Sequence, residues 1–176
     1  MKYLLFVIVV ISITSCSSVK VVYDYDKQVD FTKYKTYAFT EEVAKLPVDD
    51  LNRGRLITAV ETELAAKGFT KSDNPDVLID MHITAKKRTE AVANTSGGYG
   101  RYGRYGYGGG FSTTTVDYNE YLDGTLLINM VDKSTEKIAW QGRGTKTIDE
   151  DASASKREQN INYAVKQIFT NYPPKK

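Results

Sequence analysis

One histidine and one cysteine occur among 176 residues, which narrows the available chemistry. A Cys/His zinc site or a disulfide framework within one chain needs more of both. His82 is flanked by Asp80, the beginning of a general acid–base pair. A Ser/His/Asp triad would have to use His82, yet no G-x-S-x-G accompanies it, and H-E-x-x-H is absent. A solvated or sheet-packed histidine is the simpler reading. Asp24, Asp26 and Asp30 suggest a calcium loop. Counted from Asp24, however, Val29 falls on the required glycine and Lys35 on the terminal glutamate, so an incidental acidic turn is favoured. Asp149-Glu150-Asp151 precedes a helix, where negative charge complements the helix dipole. Carboxylate pairs suited to glycoside hydrolysis are not singled out by any spacing. Trp140 alternates with Ile138 and reads as core rather than as a sugar platform. These residues point to no metal, no cofactor and no catalytic constellation, so the chain is expected not to be an enzyme.

The cysteine has a clearer context. Lys2 precedes an apolar run from Leu4 to Ile13, interrupted only by Ser12. That is too short for a membrane span of roughly 20 residues and fits a signal-peptide core. The run ends Ile13-Thr14-Ser15-Cys16, which resembles the bacterial lipobox. The Cys16 thiol would accept a diacylglyceryl group, and small residues before it would admit the peptidase at the Ser15–Cys16 bond. The amino group so released would also be acylated, palmitate being the expected kind of chain. Residues 1–15 are therefore expected as a signal peptide, 16–18 as a lipidated tether and 19–172 as one domain. Ser17 follows Cys16 in place of the Asp that signals inner-membrane retention, so the periplasmic face of the outer membrane is the expected location.

Residues 97–110 read GGYGRYGRYGYGGG, with eight glycines, four tyrosines and two arginines. Glycine loses the most backbone entropy on ordering, so this stretch is expected as a protruding loop or hairpin tip. Its G-x-G-x-x-G at Gly98, Gly100 and Gly103 arises from composition, since no helix follows. Arginine between aromatic rings also occurs in nucleic-acid segments, but a secreted protein makes that reading secondary, and no nucleic-acid partner is expected. Tyrosine and glycine together supply contact area with adaptability. Tyr99, Arg101, Tyr102, Arg104, Tyr105 and Tyr107 are the candidate contact residues, with a bland flexible loop as the alternative.

The elements around these residues follow from periodicity. Val19 to Tyr25 and Tyr34 to Phe39 read as strands. Leu51 to Lys67 reads as a helix capped by Asp50 and closed by Gly68. Val77, Ile79, Met81 and Ile83 alternate with polar residues in a half-buried strand that extends toward Thr89. Tyr118 to Asp132 and Ile138 to Thr147 form a hairpin about Lys133–Glu136, with Ile138 and Trp140 facing in. A capping box at Ser155–Glu158 opens an amphipathic helix through Ile161, Ala164, Val165, Ile168 and Phe169. The order β-β-α-β-β-β-α implies an α+β fold, with two helices on one face of a mainly antiparallel sheet. The charge balance is 24 basic to 22 acidic residues, net +2, and gives no strongly steering surface.

Asp30 to Phe39 (DFTKYKTYAF) resembles the opening signature of the bacterial lipoprotein family called domain of unknown function 4136. Asn74-Pro75-Asp76-Val77-Leu78-Ile79 is similar to that family's Pro-Asp strand. Gly124–Ile128 through Asp132, with Ile138–Gly142, is similar to its closing hairpin. The resemblance implies a lipid-anchored envelope protein with an α+β fold and no established activity. The expected function is a non-enzymatic interaction module for another envelope component, protein or glycan. A small-ligand or glycan-binding lipoprotein is the alternative.

Overall fold

The computed structural model describes residues 19–97 and 112–174. Strands β1 (Lys20–Tyr25), β2 (Thr36–Phe39), β3 (Thr70–Lys71), β4 (Val77–Gly97), β5 (Ser112–Asp132) and β6 (Ile138–Thr147) form one sheet in the order β1-β6-β5-β4-β2-β3. Helices α1 (Asp50–Ala66) and α2 (Ala154–Phe169) complete an α+β fold. The sheet is mixed rather than mainly antiparallel, because β2 runs parallel to both β3 and β4. The cause is α1. It carries the chain back between β2 and β4, so β4 starts in the same direction as β2. The two-residue β3 is a further strand beyond the expected order.

Both helices form where the periodicity places them, with shifted caps. Asp49, not Asp50, accepts the Asn52 N–H and caps α1. Ser153, not Ser155, accepts from Lys156 N and caps α2. Gly68 follows α1 at φ +83, a conformation that favours glycine.

The core lies between the helices and one sheet face. Leu56, Ala59, Val60 and Leu64 from α1 and Val165, Ile168 and Phe169 from α2 meet Val77, Ile79, Met81, Leu126, Ile128 and Met130. Trp140 is fully buried and stacks on Phe169 at 5.5 Å. Its expected neighbour Ile138 instead faces out, 49% exposed. Met130 pairs with Trp140 but Val131 pairs with Ile138, so a bulge at Ala139 breaks the two-residue period.

The β4–β5 hairpin outgrows this core. Its pairing is unbroken from Val77↔Asp132 to Gly97↔Ser112. The third strand, β6, ends at Asp123↔Thr147. Beyond that point β4 and β5 continue as a two-stranded arm.

Candidate functional site

The arm begins at Lys87↔Leu122 and reaches Gly97↔Ser112, roughly 35 Å at about 3.4 Å per residue. From Thr89 to Ser96 and from Ser112 to Glu120 every residue is exposed. The arm's two faces differ. One continues the helix-covered face of the sheet and carries Ala91, Ala93, Val116 and Tyr118, paired Ala91↔Tyr118 and Ala93↔Val116. Tyr118 is 72% exposed. The other face is mainly polar, with Val92 exposed among its charged and amide side chains. Arg88 binds Asp123 at 2.7 Å and also pairs with Glu90, its guanidinium lies 5.0 Å from the Tyr121 ring centre, and Asn94 donates to Asp117. An isolated hairpin is marginal in water, so the arm depends on the sheet for order, and no layer among the described residues covers its apolar side chains.

The other end of the hairpin, where Val77 pairs with Asp132, is held by the segments that carry the family resemblance. Asp30 caps a short 3-10 turn by accepting from Thr32 N and Oγ1. Tyr34 just after this turn donates to Asp132 at 2.7 Å, and Lys33 donates to the same oxygen. The other Asp132 oxygen accepts from Ser134 N and Oγ and from Thr135 N. Burial alone would raise the Asp132 carboxyl. The bonds from Lys33, Ser134 and Tyr34 outweigh it and hold the group well below the usual carboxylate range. Burial, then the bond to Asp132, pushes the Tyr34 hydroxyl above the usual tyrosine value. Asp76 accepts from Lys35 N and Thr36 N at 2.8 and 2.9 Å, fixing β2 beside β4, and these amide bonds lower its carboxyl. This junction does structural work.

The uncovered sheet face carries a polar ladder. Asp80 accepts from Thr40 and Asn129 and sits 2.7 Å from His82 Nε2, and Gln141 donates to Asn129. His82 is exposed, and among the described residues no serine hydroxyl is hydrogen-bonded to it. The ladder ties β4, β5 and β6 to Thr40 at the end of β2 and leaves His82 exposed. Asp24, Asp26 and Asp30 do not converge. Each accepts from a backbone N–H one or two residues ahead. Among the described residues no group of three or more His, Cys, Asp or Glu is placed to hold a metal ion. Asp149 accepts from Asp151 N near the start of α2. Trp140, being buried, presents no platform to a sugar.

A groove of about 390 Å³ opens where the arm leaves the core, between α1, α2 and the sheet, with Leu56, Ile83, Leu126, Ile148 and Ile161 among its lining. Ile161 and Ala164, expected within the apolar stripe of α2, are only half-buried because they face this groove.

Cys16 and the contact candidates Tyr99, Arg101, Tyr102, Arg104, Tyr105 and Tyr107 lie outside the described residues. The strands leading into and out of residues 98–111 are paired to their ends, and Gly97 belongs to β4. The sequence reading missed the arm's full length, the Asp132 junction and the groove. The β-branched run Thr113-Thr114-Thr115-Val116 was the available signal for the longer β5.

Among solved structures, the chain is similar to a PDZ domain protein from Parabacteroides distasonis, with TM-score 0.52 and 19% identity over 89% of this chain and 36% of that one. It thus spans about a third of that protein, and at this identity the likeness shows the fold alone. A looser likeness is to the PelC dodecamer from Paraburkholderia phytofirmans, with TM-score 0.45 and 8% identity over 90% of this chain and 100% of that one. No curated protein matches the chain. The junction residues Asp30, Tyr34, Asp76 and Asp132 all fall within residues 21–174, which match the model of the domain of unknown function DUF4136, and the chain belongs to that family.

Proposed function

We propose that this chain is a non-enzymatic, lipid-anchored protein of the cell envelope that acts as an interaction module for another envelope component, protein or glycan. The arm carries the reading. It extends roughly 35 Å past the core with an exposed apolar patch of Ala91, Ala93, Val116 and Tyr118, and it leads directly into the Tyr/Gly/Arg segment at 98–111. The lipid anchor is read from Ile13–Cys16, and the periplasmic face of the outer membrane from Ser17. A variant with residues 88–121 replaced by Asn-Gly, a two-residue hairpin turn, tests the arm. In-cell crosslinking with mass spectrometry is expected to recover a recurrent partner with the full chain and to lose it with the short arm. Identical crosslinks in both would refute the arm's role. The groove supports a second reading, a small-ligand lipoprotein, because about 390 Å³ falls within the size range of ligand pockets.

A further inference from the structure

We propose that the groove at the arm's root holds one acyl chain of the lipid on Cys16. The inference rests on the lipid-anchor reading above. Its floor is Ile83, Leu126, Gly124 and Gly144, and its walls include Leu56 from α1 and Ile161 from α2. Two glycines shape it. A Cβ at Gly124 would lie 2.7 Å from Ile148 Cδ1, and one at Gly144 would lie 2.9 Å from Ile168 Cδ1 and 3.2 Å from Val19 Cγ1. Their absence lets Ile148 and Val19 close in as walls. Ile148 remains 43% exposed, so the groove presents apolar surface that nothing among the described residues covers.

Several of the polar lining groups are already engaged, Thr125 with Thr145 and Thr147 with Asp123 among them. Lys146 donates to Asn160 at 2.8 Å, and Arg157 donates to the carbonyls of Ala152 and Glu150. A sugar would need converging polar groups in the lining, whereas hydrocarbon needs only the aliphatic walls. The position of Val19 selects the source of that hydrocarbon. Val19 lines the groove and is the first described residue. Cys16 is three residues upstream, within about 10 Å for extended chain. An acyl chain on Cys16 therefore starts within reach of the groove. The remaining chains would stay in the membrane, where two apolar signals are needed for stable anchoring.

The test uses the full chain in a bacterial host fed a palmitate analogue carrying a diazirine and an alkyne. Label on the wild type but not on Cys16→Ser is expected. Absence of label on Cys16 would overturn the lipid-anchor reading and this inference with it. After irradiation, crosslinks are expected in the peptides containing Ile83, Leu122, Ile148 and Ile161. Ile148→Glu, at a position 43% exposed, is expected to reduce them at least tenfold. Ala164→Phe, which fills the groove without charge, is expected to do the same, and Ile138→Glu, equally exposed but outside the groove, to leave them unchanged. Label on Cys16 with crosslinks only to phospholipid or other proteins would overturn the groove and leave the anchor standing. Groove crosslinks that persist in Cys16→Ser would overturn it differently, by showing a free lipid as the occupant.

Discussion

Replacing Asp132 by alanine removes one carboxylate, but the damage depends on which partners are stranded. Asp132 is 4% exposed and accepts from Lys33, Tyr34, Ser134 and Thr135. Ser134 and Thr135 are exposed and can turn to water. Lys33 is half-exposed, so its ion pair contributes about 0.5 kcal/mol. The Tyr34 hydroxyl is buried and loses a charged acceptor, costing about 2 kcal/mol. With the loosened turn, Asp132→Ala should cost about 3 kcal/mol, a fall in Tm of roughly 6–12 °C for a domain of this size. Tyr34→Phe should cost about 1 kcal/mol, because Asp132 keeps its other donors. The double variant should cost less than the two singles together, since the stranded hydroxyl is gone. Urea and thermal denaturation followed by circular dichroism would read all three. A change below 1 kcal/mol for Asp132→Ala, or strict additivity, would refute the reasoning.

The same carboxylate has a pH signature. Its folded value lies below the unfolded value of about 3.9. The unfolded chain therefore binds the proton first, and stability rises with pH through that window. The contribution is complete above about pH 5 and is lost as pH falls toward the folded value. Wild-type and Asp132→Ala stabilities should converge below about pH 4, and parallel curves down to acid unfolding would exclude this account.

Gly54→Ala should raise stability by about 0.5–1 kcal/mol in urea titration, because Gly54 sits within α1 with nothing within 4 Å of a new Cβ. Gly142→Ala should cost about 1–3 kcal/mol, since its Cβ would meet Trp140 Cη2 at 2.4 Å and Ile168 Cγ2 at 2.6 Å. Shortening the arm across residues 88–121 should change global stability by less than about 1 kcal/mol, and a larger loss in calorimetry would make the arm part of the core. Cys16→Ser should move the protein from the membrane to the soluble fraction, and retention in the membrane would count against the anchor.

The helices were legible because their apolar period is local and a cap residue stands nearby. Asp49 and Asp50, like Ser153 and Ser155, offer interchangeable cap chemistry, so the boundary slipped by one or two residues. The alternation of β4 is readable only where one face is dry. Past Ala85 both faces are wet and the pattern fades, which hid the arm. Strand direction leaves no trace in alternation, so the parallel pairing of β2 was missed. The bulge at Ala139 likewise shifts Ile138 outward without a local signal. Asp132 looks like an ordinary turn residue beside Lys133-Ser134-Thr135. Its decisive partners, Lys33 and Tyr34, are 99 and 98 residues away, and only the fold brings them together.

This placement bears on what the family signature means. Asp30, Tyr34, Asp76 and Asp132 are engaged in caps, clamps and a buried carboxylate, so the motifs describe a scaffold. What they hold is the base of the hairpin, where Val77 faces Asp132 and β2 and β6 flank the two long strands. A ribbon already ordered at its root loses less freedom when its far end is engaged. The groove residue Val19 lies part-way along the hairpin, near the point where β6 ends at Asp123↔Thr147, and residues 98–111 join the strands at the far end. On the proposed reading, the tether enters where the arm leaves the core and contacts are made roughly 35 Å away. The junction then acts through mechanics rather than recognition. Asp132→Ala should weaken partner crosslinking through residues 98–111 even at temperatures where circular dichroism still reports a folded core, whereas substitutions in the segment itself should abolish crosslinking without moving Tm. Loss of crosslinking only in step with global unfolding would show that the Asp132 junction and the arm's far end are not coupled.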